Sequence, residues 1–227
     1  MDLTRATVRD AAAEYEREEP LYTVEAQHVE TLPDALAAGE FGRRDGIWVV
    51  RWFRRRYLGN VPDSIPNDLE DRFEENGYRD VVDAVTAAGT ALQTDTEAAA
   101  EEKTGSATAG EDATGPTSGG LESDSDGTDV RAGADLETAV DHLRGLEGVG
   151  VPVASAFCFF LDPDRFLVMS DREWTALHEA GELEAPYPDS PTVGEYEAYL
   201  ETIRSVADRL ECDLWTLYRA LWRLGRQ

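Results

Sequence analysis

The chain has 227 residues, 41% of them hydrophobic and 20 of them aromatic, which suffices for one ordinary domain or two small ones around a real core. That excludes collagen-like, disulfide-scaffold and wholly disordered classes. Against 47 acidic residues stand 21 basic ones, a net charge of −26, and Lys103 is the only lysine among the bases. Such a surplus repels nucleic acid at long range, so any binding to DNA has to come from a local site.

No stretch approaches 18 consecutive apolar residues, and the opening MDLTRATVRDAAAEYERE is too charged for a signal peptide. The expectation is a soluble, cytoplasmic chain with no membrane partner. Two cysteines, Cys158 and Cys212, are too few for a disulfide framework or a zinc cage and read as buried thiols.

In chain order, residues 4 to 18 predict an amphipathic helix with Val8, Ala11, Ala12 and Tyr15 on one face, ended by Pro20. A second helix is expected to start at Pro33 and stop near Gly39. RRDGIWVVRWFRRRYLG is β-branched enough to suggest a strand, but its length and the arginines returning at 51, 54 and 55 predict a buried helix. Asn67 is placed as the cap of a helix through Phe73, and another runs from Tyr78 to Ala88.

From 89 to 133 the composition changes. This segment has no aromatic residue, ten acids, two bases and abundant Gly, Ser, Thr and Ala. It predicts a disordered acidic linker between an N-terminal helical part, 1–88, and a C-terminal part, 134–227, because so little apolar surface cannot offset the entropy of ordering. A partner-binding role for the linker stays open beside that of a plain solvated insertion. Beyond it, residues 136, 139, 140, 143 and 146 form a helical stripe, followed by the turn EGVGVP and the helix VASAFCFFL, closed by Asp162 and Pro163. DREWTALHEAG, Tyr196 to Leu210 and Leu214 to Gly225 complete an all-α prediction, with Trp215, Tyr218 and Trp222 read as core.

Chemistry concentrates at the helix–turn–helix unit 134–161. Two glycines one residue apart, Gly148 and Gly150 around Val149, permit a tight turn whose amide N–H groups suit a phosphate oxygen at the start of the next helix. With the run LRGLEGVGVPVASAFCFFLDPDRFLVMSDREW, the sequence resembles the helix-hairpin-helix superfamily of DNA glycosylases, in the branch similar to 8-oxoguanine glycosylase. The likeness covers about 40 residues well and extends more weakly through the C-terminal helices and to IWVVRWFRRRYLG. The acidic, arginine-rich composition in turn resembles proteins of salt-loving archaea.

The resemblance implies a glycosylase-like helical fold, duplex DNA, damaged or not, as partner, and a link to base-excision repair. It also implies that Gly148, Val149 and Gly150 grip a backbone phosphate. Pro152 falls where bifunctional members place a Schiff-base lysine, and Ser170 falls in the slot of the catalytic aspartate. Two readings of Asp171 follow. A loop shifted by one residue makes it the catalytic carboxylate of a monofunctional glycosylase, or it is the N-cap of the next helix and the protein is catalytically silent. A third possibility is an interaction module that has kept the fold alone.

Arginines offer a second candidate surface. Arg44, Arg51 and Arg55 share one helical face with Arg54 beside them, suited to clamping a phosphate backbone or to pairing internally with the surplus acids. His28, His142 and His178 lack ligand spacing, and no nucleotide-binding loop occurs, so neither metal nor small-molecule cofactor is expected. Trp48, Trp52, Trp174 and Tyr187 are candidate pocket residues that read first as core or rim.

Overall fold

The computed structural model describes residues 2–57, 68–105 and 127–225. Among them every regular element is an α-helix: α1 Arg5–Glu18, α2 Tyr22–Ala37, α3 Arg43–Tyr57, α4 Asp68–Glu74, α5 Tyr78–Gly105, α6 Gly127–Arg144, α7 Val151–Leu161, α8 Asp171–Glu179, α9 Val193–Leu210 and α10 Leu214–Leu224. The all-α expectation agrees with this architecture. No helix among the described residues is long and apolar enough to cross a membrane.

Helix α7 occupies the centre. Being apolar all round, it has no face to give to water, and every residue in it except Pro152 is buried. It packs against α2, α3, α5, α6 and α9. Phe160 meets the rings of Trp48 and Trp52 edge-on, with centroids 5.1 and 4.7 Å away, an arrangement favoured by the aromatic quadrupole. The segment after α7 is also interior, from Phe166 to Ser170. Its backbone groups therefore need partners. The Met169 amide donates to Ser155 Oγ at 2.8 Å, while the hydroxyls of Tyr196 and Tyr199 donate to the carbonyls of Leu167 and Val168.

The amphipathic face of α1 is buried as its spacing predicts, with Val8, Ala11, Ala12 and Tyr15 turned inward against α10. Arg219 and Arg223 of α10 reach back to Glu16 and Glu18 of α1 at 3.4 and 2.9 Å, and Arg223 also pairs with Glu14. Between the two helices Tyr15 packs edge-on against the fully buried Tyr218. Trp222 is likewise buried and Trp215 partly so, stacked on Tyr22, so this aromatic group is core.

Three expectations are corrected. The second helix starts at Tyr22, and Pro33 lies inside it. Proline there removes one helical donor, and the burial of Glu25 and Leu32 on the same helix outweighs that local cost. Within the segment expected to be a disordered linker, α5 continues to Gly105 and α6 begins at Gly127. Ala91, Leu92 and Gln93 begin a stretch of good helix formers, and Leu92 is buried in the core, so chain composition alone misplaced the boundary. Residues 106–126 and the cap assigned to Asn67 lie outside the described residues. Finally, the N-cap of α8 is Ser170, which accepts from the Arg172 amide, and Asp171 is the first helical residue. Ser170 also bonds Glu173 three residues on, the reciprocal spacing of a capping box.

Candidate nucleic-acid interface

The turn between α6 and α7 is built by its neighbours. Gly148 has φ of +82°, a conformation costly for any residue with a Cβ. It also lies directly on α4: a Cβ there would stand 3.1 Å from the Leu69 carbonyl oxygen and 3.2 Å from the Phe73 nitrogen. Asn76, just past α4, locks the turn from the side. Its Oδ1 accepts from the Glu147 amide at 2.9 Å, and its Nδ2 donates to the carbonyls of Glu147 and Phe73 at 3.1 and 2.8 Å.

Gly150 is different. It is exposed, has φ of −93° and ψ of 179°, and a Cβ there would approach only Pro152 Cδ at 3.8 Å. Extended backbone of this kind admits any residue, so its glycine is not required by the turn. Gly150 is the N-cap of α7 and brings no side chain to it, which leaves the positive end of the helix dipole without a protein cap.

The amides divide in the same way. Val149 N donates to the Leu146 carbonyl at 3.2 Å, and its side chain is buried. Its expected part in holding a phosphate through that N–H is therefore corrected: the donor is already used in closing the turn. Neither the Gly148 nor the Gly150 amide has an acceptor among the described residues. Both glycines line an open cleft of about 360 Å³ with Arg72, Arg144, Leu146 and Glu147. Arg72 comes from α4 and Arg144 from the last turn of α6, so two cations from separate elements flank the turn.

The arginine face of α3 is mostly occupied. Arg51 and Arg54 converge on Glu70 of α4 at 3.0 and 3.1 Å, and Glu70 is only 7% exposed. Arg43 donates to the carbonyls of Asn76 and Glu74 at the end of α4. Internal pairing is thus what these three do. Arg44 and Arg55 are exposed and make no ion pair among the described residues. Arg55 opens, with Arg51, Trp48 and Trp52, on a second cavity of about 200 Å³ that has the buried Glu25 in its wall. That carboxylate accepts from Trp52 Nε1 at 2.8 Å and from the Tyr15 hydroxyl.

Asp171 borders neither cavity. It is exposed and accepts from Thr175 Oγ1 at 3.4 Å on its own helix. The hairpin, the α3 arginines and Asp171 therefore do not open onto one cleft. Trp174 and Tyr187 pack edge-on at 5.9 Å, and Trp174 Nε1 donates to the Ala185 carbonyl, so this pair pins the segment after α8. Among the described residues no cluster of metal-ligating side chains occurs. Burial pushes the Cys158 thiol up to about 12, leaving it protonated at neutral pH, and shifts half-buried Cys212 in the same direction.

Arg72, Arg144, Asn76 and Glu147 were not singled out by sequence. Arg144 and Glu147 stand within the hairpin run itself, so position relative to the glycines is the signal that would have found them. Arg72 and Asn76 join the site only through tertiary packing, 72 and more residues away in the chain. Comparison with family models, with curated proteins and with solved structures finds no match for this chain.

Proposed function

We propose that the protein binds duplex DNA through the α6–α7 hairpin, as a helix-hairpin-helix module of the DNA glycosylase type without glycosylase chemistry at Asp171. The observation that carries this reading is the pair of unclaimed amides at Gly148 and Gly150, set at an uncapped helix start between Arg72 and Arg144. Such a site offers N–H donors and a favourable dipole to a phosphate, with two guanidinium groups lining the same cleft, and it carries no sequence information. In a chain of net charge −26 the contact has to be short-ranged, which suits direct hydrogen bonds better than long-range steering. The silent reading is supported by Asp171, whose carboxylate borders neither cavity, and by Ser170, which is buried and engaged as a cap.

Gly150→Pro removes one amide donor at an exposed, extended position whose φ of −93° needs a shift of only about 15–30° to reach that of proline. We expect duplex affinity to fall about tenfold, the loss of one charge-assisted hydrogen bond, with an unchanged melting temperature. Fluorescence anisotropy with a labelled duplex checks it; equal affinity of the variant would remove the hairpin from the interface. Oligonucleotides bearing uracil, 8-oxoguanine or alkylated bases are expected to give no alkali-labile breaks with the wild-type protein. Breaks that disappear in Asp171→Asn would instead establish the monofunctional glycosylase.

A further inference from the structure

The cleft at the hairpin contains an anion of the chain's own. Glu147 immediately precedes Gly148, and its backbone is fixed by two hydrogen bonds to the Asn76 amide group. Its carboxylate lies 3.3 Å from Arg72 Nη2, the cation that α4 brings to the same cleft. The two side chains are 64% and 53% exposed, so solvent reaches the pair and an outside anion can exchange into it. Arg144, the other cation lining the cleft, pairs with Asp141 at 3.2 Å.

We propose that Glu147 is a built-in competitor for the phosphate, and that a phosphodiester entering the cleft takes Arg72 from it. This rests on the hairpin being a phosphate site, as in the reading above. Two costs then oppose binding in the wild-type protein: the Arg72–Glu147 pair is given up, and the released carboxylate stays beside the incoming phosphate. There is a further consequence for salt. A phosphate normally releases condensed counterions when a free arginine neutralises it. Arg72 already carries an anion, and when that anion is set free it needs a cation from solution, so little net ion release accompanies the exchange. The device weakens binding and at the same time flattens its dependence on salt.

The test compares wild type, Glu147→Gln, Arg72→Ala and the double variant, by duplex anisotropy between about 0.1 and 1 M KCl. In parallel, the amide signals of Gly148 and Gly150 are followed by NMR during titration with inorganic phosphate. Circular dichroism verifies that each variant is folded. Glu147→Gln is expected to bind both probes about three- to tenfold more tightly at the low-salt end, with a log–log salt slope for the duplex steeper by about 0.9. Adding Arg72→Ala should abolish most of that gain.

Unchanged affinity and slope in Glu147→Gln overturn the proposal, as does a gain that survives in full without Arg72, since the effect would then be plain repulsion. If the duplex binds through the hairpin but Glu147→Gln behaves as wild type, the competitor falls and the DNA reading stands. If phosphate binding tightens in Glu147→Gln while no variant holds a duplex, the competitor stands and the DNA reading falls.

Discussion

Gly148→Val is expected to lower the stability of the whole protein by about 3–5 kcal/mol, seen as a shift of the urea midpoint with little change in slope. Two costs combine there. A β-branched residue is forced to a φ near +82°, and its Cβ is pressed to within 3.1–3.4 Å of Leu69, Arg72 and Phe73 on α4. Loss of DNA binding in this variant would follow from the displaced turn, which makes Gly148 a poor probe of phosphate contact and Gly150 the better one. A midpoint that stays put would mean that the turn does not rest on α4.

Glu25→Ala should be nearly as damaging, at about 3–5 kcal/mol. The carboxylate is 1% exposed and binds Trp52 Nε1 and the Tyr15 hydroxyl, so truncation leaves two buried donors without that acceptor and opens a void beside Trp52. It ties α1, α2 and α3 together at one point. Denaturation monitored by tryptophan fluorescence measures the loss. A cycle with Trp52→Phe isolates the pairwise share: coupling near zero would show that packing alone sustains this junction.

Helix content was legible because periodicity reports burial. The stripes on α1 and α6 are buried residue for residue, and the all-apolar α7 is central as its composition implies. Boundaries were less legible wherever tertiary contacts overrule local preference. Pro33 is held inside α2 by the anchoring of Leu32 and Glu25, and Leu92 draws residues that look like linker into the core. At α8 the cap lies one residue before Asp171, since Ser170 has the extended backbone and the hydrogen bond of a cap.

The candidate site was half legible. Its glycines stand out in the sequence, but their different duties do not, because only packing distinguishes a glycine required by α4 from one facing solvent. Nor does sequence predict which arginines line the cleft at the hairpin. Arg51 and Arg54 are consumed by Glu70, a residue on a different helix, while Arg72 and Arg144 reach the hairpin. In so acidic a chain, proximity in sequence is a weak guide to the partner of a given guanidinium.

The lock formed by Asn76 and the seat provided by α4 also bear on modularity. Residues 134–161 look like a portable cassette that could be excised or grafted onto another scaffold. Part of what shapes the turn, however, is contributed by 69–76, so a transplant would arrive without its mould and the loop would lose the curvature that leaves the Gly148 and Gly150 amides unclaimed.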